Sequence, residues 1–165
     1  YHVSENYLAA LFLIKKVFLG ESWKLIIAGS GAHKKFYSKI KNHAYITIVD
    51  NPDSDTMNLL IQKAHINILP SFQPTGMKLK LINSLYLGRH CLVSPEMVSP
   101  CPDLKRLCTV CYSEEDFKKQ IISKMKIPFN KNMKTLRNKI LTDLLDNKKS
   151  GAEIINTISQ KDKND

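Results

Sequence analysis

The chain lacks several features that would assign it to a common class of protein. No apolar run among its 165 residues approaches the roughly 20 that a membrane-spanning helix needs. Residues 8–17 are apolar, but Lys15 and Lys16 interrupt them and an acidic, polar segment precedes them, so we expect no signal peptide. Glycine is scarce, at six residues, and no complete G-x-G-x-x-G dinucleotide-binding motif occurs. Because the sequence starts at Tyr1, we expect it to be a piece of a longer protein.

Acidic residues are few in comparison with basic ones. The chain has 15 Asp and Glu against 25 Lys and Arg, which gives a net charge of +10. Such a balance favours attraction to nucleic acid, anionic lipid surfaces or phosphorylated ligands, although lysines also solvate exposed helix faces. No patterned recognition helix and no interleaved aromatic residues accompany the charge, so nucleic acid is not an expected partner. An anionic membrane surface remains a candidate partner, which would place the protein in the cytoplasm or at the inner membrane face.

Four cysteines occur, and two of them form a C-x-x-C motif; they are Cys91, Cys101, Cys108 and Cys111. A metal or redox site is one interpretation of this motif. However, the surrounding LCTVCY is typical of a short strand, in which residues three apart point to opposite faces. A second Cys or His pair at ligand spacing is missing. We therefore interpret the cysteines as buried free thiols and expect no metal.

The hydrophobic pattern predicts helices that alternate with short strands. Helices are predicted over 5–18 with Ser4 as cap, 33–41, 55–64 with Asp53 or Ser54 as cap, 77–87, 114–124 opened by Ser113 and Asp116, 130–145 and 151–159. Strands are predicted over 24–28, 45–49, 66–69, 91–93 and 107–112, with a loop over 95–102 and a disordered tail. This alternation indicates an α/β fold, a Rossmann-like three-layer sandwich with a mainly parallel sheet.

The segment 66–94 predicts a strand, a loop, a helix and a second strand. Gly76 precedes the predicted helix, which ends at Gly88. The start of a helix presents unpaired N–H groups and partial positive charge, so it suits a phosphate. Lys78 and Lys80 add full charges, but positions two apart do not share a helical face, so at most one should contact a phosphate. The alternative is an ordinary helix start with solvated lysines.

Ligands of parallel sheets bind outside the carboxyl ends of the strands. Three strand ends are therefore candidates for one cleft: Gly29 to Gly31, Asp50 to Asp53, and Ser71 to Lys78. The first two segments are also typical of plain turns, so a ligand cleft and a turn both remain open interpretations for them. His90, at the start of a strand, is more typical of a structural or surface histidine than of a ligand-binding one.

Several segments together resemble the C-terminal half of GT-B glycosyltransferases, in particular the retaining family-four enzymes. The similar segments are the opening YHVSENYLAALFLI, then KLIIAGSG, YITIVD, INILPSF and TGMKLKLINSLYLGRHCLVS, in that order. The resemblance implies a nucleotide-sugar-binding domain over 1–145, followed by a C-terminal helix and tail over 146–165, with the N-terminal acceptor domain absent from this chain. It implies transfer of a hexose, as in a mannosyltransferase, from a nucleotide-sugar to a glycan or lipid-linked acceptor, with no metal and no separate cofactor.

The resemblance also implies roles for individual residues. The donor diphosphate would contact Thr75, Gly76, Met77, Lys78 and Lys80; the ribose would contact Asn83; the base or cleft lining would be Gly29, Gly31, Asp50, Asn51 and Ser71. Two glutamates that relatives carry across this block are replaced here by Thr75 and Asn83, and a family proline is replaced by His90. Catalytic residues are not assigned, and the fragment alone should be inactive. A catalytically degenerate binding or scaffold domain is therefore the alternative.

Overall fold

The computed structural model of the protein describes residues 4–30, 43–76 and 78–145. The chain divides into two compact units, Tyr1–Asn130 and Lys131–Asp165. The described part of the second unit is one helix, α6 (Lys131–Leu144). The predicted helices over 33–41 and 151–159 and the predicted disordered tail lie outside the described residues.

The first unit alternates helices and strands as predicted. Its elements are α1 (Ser4–Phe12) continued by a π-helical turn (Leu13–Val17), β1 (Leu25–Gly29), β2 (Ile46–Asp50), α2 (Ser54–Lys63), β3 (Ile66–Leu69), α3 (Leu79–Leu87), β4 (His90–Val93), the short α4 (Pro95–Val98), a 3-10 helix (Pro102–Leu107), β5 (Thr109–Val110) and α5 (Glu114–Met125). In the described ranges, no helix is long and apolar enough to cross a bilayer.

All pairs among the described strands are parallel, and the fold is Rossmann-like α/β, which confirms the predicted class. β1 pairs with β2 from Leu25 opposite Ile46 to Gly29 opposite Asp50. β4 lies between β3 and β5 in a second, three-stranded sheet. The described strands thus form two hydrogen-bonded sets, whereas the sequence predicted one mainly parallel sheet.

An apolar core connects the two sheets through the end of the first helix. Leu13, Ile14 and Val17 of the π-helical turn are buried there with residues from both sheets and from α5: Leu25, Leu92, Cys111, Phe117 and Ile121. The Phe18 N–H donates to the Leu13 carbonyl at 2.8 Å, a bond that spans five residues and widens this turn.

Two predicted helix caps are confirmed. The Asp53 carboxylate accepts from the Thr56 N–H at 2.7 Å and begins α2, so Asp53 is the cap and Ser54 is the first helical residue. The Ser113 hydroxyl accepts from the Asp116 N–H at 3.2 Å at the start of α5. The Asp116 carboxylate in turn accepts from the Tyr112 N–H at 3.0 Å, one residue earlier than in a regular capping box.

Four predicted boundaries are wrong. Ser4 is the first residue of α1 and not its cap, and β5 covers only Thr109–Val110 of the strand predicted over 107–112. Residues 95–102 are not simply a loop, because Pro95 occupies the first turn of α4 and Pro102 that of the 3-10 helix. Proline suits these positions since its missing N–H would be unpaired there in any case. The crossover helix begins at Leu79, so Lys78 precedes it with φ −91° and ψ 76° and does not lie one turn inside.

Candidate functional site

The loop between β3 and α3 lies at the carboxyl end of β3, where the sequence predicted a ligand. Ser71 at its beginning is fully buried, whereas residues 72–76 are exposed. Gly76 has φ +75°, a left-handed conformation that favours glycine over residues with a Cβ. The exposed turn at Gly76 then leads through residue 77 to Lys78 and the first N–H groups of α3.

Buried hydrogen bonds hold the base of this loop. The Ser71 N–H donates to the Ser94 hydroxyl oxygen, and the Ser94 hydroxyl donates to the Ser71 carbonyl, each at 2.8 Å. These two bonds tie the end of β3 to the end of β4. The Ser71 hydroxyl donates to Glu5 Oε1 in the first turn of α1. Ser71 therefore positions the Glu5 carboxylate from below the loop, because its own side chain is not accessible.

Two lysine side chains reach the same end of α1. Lys78 Nζ lies 3.5 Å from Glu5 Oε1, and both side chains are nearly buried, at 11% and 9% exposed. Lys80 Nζ donates to Asn6 Oδ1 at 2.9 Å. The helical-face argument from the sequence does not apply to this pair, because Lys78 lies outside the helix. Both ammonium groups are thus brought to one polar cluster, made of Glu5, Asn6, Ser71, Lys78 and Lys80, which we call the lysine cluster.

The lysine cluster carries more positive than negative charge. Burial alone would raise the pKa of Glu5, but the Ser71 hydroxyl and the two lysine charges outweigh it and hold the pKa below the ordinary 4.5. Glu5 is therefore a carboxylate at neutral pH. Burial lowers the pKa of Lys80 from its ordinary 10.5; the Glu5 carboxylate opposes this shift and the Lys78 charge adds to it. Two ammonium groups consequently face one carboxylate.

The other predicted site residues lie around this cluster or at a different sheet edge. Thr75 and Gly76 are exposed in the loop. Asn83 is exposed on α3, whose buried face is formed by Leu81, Ser84 and Leu85. Met77 lies outside the described residues.

A second pair of predicted residues meets at the ends of β1 and β2. The Asn51 N–H donates to the Gly29 carbonyl at 2.9 Å, and Asn51 has φ +49°. Asp50 is the last residue of β2 and is exposed, while Gly31 lies outside the described residues. The chain therefore bends at Asn51 directly after β2, and the base-binding role predicted for these residues remains a prediction.

Glu5 and Asn6 are the site residues that the sequence did not reveal. Glu5 bonds to a residue 66 positions away, and Asn6 to one 74 positions away. The sequence signal for Glu5 was its place in the first turn of a helix, which the helix dipole explains equally well. The neighbouring sequence does not distinguish an acidic residue that only interacts with the helix dipole from one that also binds a distant lysine.

His90 is structural and faces away from the loop. It is 6% exposed, and its Nε2 donates to the Ile127 carbonyl at 2.8 Å. His65 Nε2 donates to the Lys124 carbonyl at 2.9 Å, and the two rings meet edge to face with centroids 5.3 Å apart. Since a carbonyl only accepts, Nε2 carries the proton in both rings. These bonds fix the end of α5 to the amino-terminal ends of β3 and β4.

Neither the cysteines nor the histidines form a metal site in the described part of the chain, where no group of three or more His, Cys, Asp or Glu side chains could hold an ion. None of the four cysteines, all of which are described, forms a disulfide; Cys91 and Cys111 are buried, and Cys101 and Cys108 are half-buried. Burial raises the pKa of Cys108 to about 11 and, with help from Asp116 and Cys108, that of Cys111 to about 12.

A shallow cavity of about 330 Å³ lies at the amino-terminal ends of β1 and β2. It is lined by Phe18, Gly20, Glu21, Ser22, Trp23, His43, Ala44, Tyr45 and Ile46. Ligands of parallel sheets bind at the opposite, carboxyl ends, so this cavity does not coincide with the predicted cleft. Trp23 contacts Phe18 edge to face there and packs against the core.

Comparisons of the chain with protein-family models, with curated proteins and with solved structures found no match. The function is therefore inferred from the side chains and from the resemblance described above, and the lysine cluster is the arrangement among the described residues that offers most to a ligand. It combines an exposed glycine turn, the start of a nine-residue helix and two ammonium groups.

Proposed function

We propose that this chain is the donor-binding half of a GT-B glycosyltransferase and that the lysine cluster holds the diphosphate of a nucleotide-sugar. The resemblance of the sequence to retaining family-four enzymes suggests the reaction. The position of the cluster at the carboxyl end of a parallel strand is the expected one for such a ligand. In this proposal the acceptor and any catalytic base belong to an N-terminal domain outside this chain.

The state of Lys80 is the observation that carries the proposal. Its side chain is half-buried, and its recorded bond partner is the neutral amide of Asn6. No ion pair between described residues includes it. Keeping a charged amine partly out of water costs free energy, and an incoming anion would offset that cost. A purely structural lysine would gain more from full exposure or from a carboxylate partner.

In sugar transfer, these groups would act on the diphosphate, which is the leaving group. When the bond between the anomeric carbon and the diphosphate oxygen breaks, negative charge accumulates on that oxygen. Ammonium groups and the free N–H groups at the start of α3 are suited to stabilise this charge. The exposed Gly76 turn lets the ligand approach the backbone closely, which a side chain at that position would hinder.

A catalytically degenerate binding or scaffold domain is the second candidate, and one observation favours it. Glu5 neutralises Lys78 in an almost buried ion pair, so one of the two charges is already compensated within the protein. In addition, Thr75 and Asn83 stand where the resembled family carries carboxylates. A labelled-donor transfer assay on the full-length protein separates the two candidates, because a scaffold domain would bind a ligand and transfer no sugar.

Nucleotide binding by the 165-residue chain tests the proposal directly. We expect UDP-sugars or GDP-mannose, titrated to millimolar concentration, to shift the NMR signals of Gly76 and Lys80 in a saturable way. Lys80→Gln should weaken binding by on the order of tenfold, since it removes a partly desolvated charge, and should leave the melting temperature unchanged or slightly higher.

The matched control is Lys63→Gln, which removes an exposed lysine from the last turn of α2. It should leave the affinity within about twofold, as expected for a screened surface charge. Absence of any shift at Gly76 and Lys80 with every nucleotide, or equal losses in both variants, would contradict the proposed site.

A further inference from the structure

We propose that Glu5 makes the lysine cluster selective for nucleotide-sugars over free nucleoside diphosphates. This inference rests on the proposed function and assigns a specificity-determining role to a residue whose sequence position gave no hint of one. Glu5 is the carboxylate of the cluster, and the described contacts place it against the group that would meet a phosphate.

A hydrogen bond and an ion pair fix the Glu5 carboxylate beside Lys78. Its Oε1 atom accepts from the buried Ser71 hydroxyl and lies 3.5 Å from Lys78 Nζ. Glu5 itself is 8% exposed, so water screens its charge only weakly. An anion that approaches Lys78 therefore also approaches a fixed negative charge, and Lys80 remains as the less compensated cation.

The two candidate ligands differ in charge at the position that would face this cluster. In a nucleotide-sugar both phosphates are esterified, and each carries one negative charge. After the sugar leaves, the terminal phosphate of the nucleoside diphosphate has a second ionisation with a pKa of about 6, so at pH 7.5 it carries nearly one further charge. The product is thus more anionic than the donor, and the extra charge lies on the phosphate that the sugar had covered.

Glu5 reduces the advantage that its additional negative charge would give the product at this positively charged cluster. The carboxylate of Glu5 repels the additional charge of the product, whereas the sugar of the donor carries no charge for it to repel. A second lysine or a neutral residue at this position would reverse the preference and retain the product. Glu5 would therefore promote release of the nucleoside diphosphate after transfer.

The test measures the ratio of two dissociation constants in the 165-residue chain at pH 7.5. The ligands are GDP and GDP-mannose, or UDP and UDP-glucose if only uridine nucleotides bind. We expect Glu5→Gln to tighten the diphosphate more than the nucleotide-sugar, and so to lower the ratio of diphosphate to nucleotide-sugar dissociation constants by on the order of tenfold. Lys80→Gln, which removes a positive charge, should raise the same ratio.

Two variants control for packing and for overall charge. Glu5→Asp keeps the negative charge and should keep the ratio within about twofold of wild type. Glu115→Gln makes the same charge change at an exposed position in the first turn of α5 and should leave the ratio unchanged. Thermal melts identify a variant that fails to fold; if Glu5→Gln does not fold, the opposite shift expected for Lys80→Gln still tests the inference.

The outcomes separate the inference from the proposed function. If wild type binds both ligands but Glu5→Gln changes both affinities equally, or Lys80→Gln lowers the ratio, the selectivity role of Glu5 is refuted while nucleotide binding stands. If wild type binds neither ligand, the proposed function fails and the inference fails with it. A lowered ratio in Glu5→Gln together with a wild-type ratio in Glu5→Asp would support the inference.

Discussion

Replacing Gly88 by alanine should destabilise the first unit strongly, although nothing in the backbone conformation of Gly88 forbids a side chain. Gly88 ends α3 with φ −82°, an angle that any residue adopts. A Cβ built there would lie 2.6 Å from the Ser84 carbonyl oxygen and would also overlap the Asn67 side-chain amide. The Ser84 oxygen is backbone and accepts the Gly88 N–H at 3.0 Å, so it has little freedom to move.

The expected loss follows from these contacts. Overpacking of a buried site typically costs about 1–3 kcal/mol. Displacing Asn67 would also break its 3.2 Å bond to the Ile61 carbonyl, worth roughly 1 kcal/mol. The smaller conformational entropy of alanine in the unfolded chain returns about 0.4–1 kcal/mol. The net loss is about 1–3.5 kcal/mol, which for a unit of this size corresponds to a fall in melting temperature of roughly 5–15 °C.

Thermal denaturation followed by circular dichroism measures this effect. Gly29→Ala is the matched control, because an added Cβ there has no described atom within 4 Å and Gly29 has no positive φ. Its melting temperature should stay within about 2 °C of wild type. If the melting temperature of Gly88→Ala equalled that of the control, the close contact of Gly88 with Asn67 and with the Ser84 carbonyl would be refuted.

Two further predictions concern titratable groups. The pKa of Glu5 is lower in the folded state than the ordinary 4.5, so its stabilising contribution is complete above pH 4.5 and is lost as the pH falls through the lowered value; denaturant melts between pH 6 and 3 should therefore show a steeper loss for wild type than for Glu5→Gln, and equal slopes would contradict the pairing. Since burial raises the pKa of Cys108 to about 11 and of Cys111 to about 12, both thiols should react with DTNB at pH 8 at least a hundredfold more slowly in the folded protein than in guanidinium. Rapid modification of Cys108 or Cys111 in the folded protein, measured in a Cys101→Ser background, would contradict this protection.

Local signals in the sequence predicted much of the fold, because they act over a few residues. Asp53 and Ser113 begin helices through bonds that span three positions, and such bonds follow from residue type and spacing. The end of α3 at Gly88 was also predicted, but for a different reason. The usual explanation is a left-handed cap, whereas here glycine is needed to make room for Asn67 and the Ser84 carbonyl.

The features that the sequence did not reveal depend on partners far along the chain. Pro95 was interpreted as part of a loop, yet the first turn of a helix accommodates proline well. The division of the strands into two sheets depends on how the helices pack. The sequence of a single segment does not determine that packing. The sequence predicted the two lysines of the lysine cluster, because they lie beside a recognisable glycine turn. It did not reveal Glu5 and Asn6, because they come from the other end of the unit.

The π-helical turn at Leu13–Val17 sets the rotational phase between the two ends of the first helix. Its later residues face the apolar core, and its first turn presents Glu5 and Asn6 to the lysines. A regular α-helix with the same number of residues would rotate one end by about 100° relative to the other. Core packing would then be kept only by swinging Glu5 away from Lys78. The extra residue in this turn thus acts as a spacer that allows one helix to serve two surfaces whose positions do not match the helical repeat.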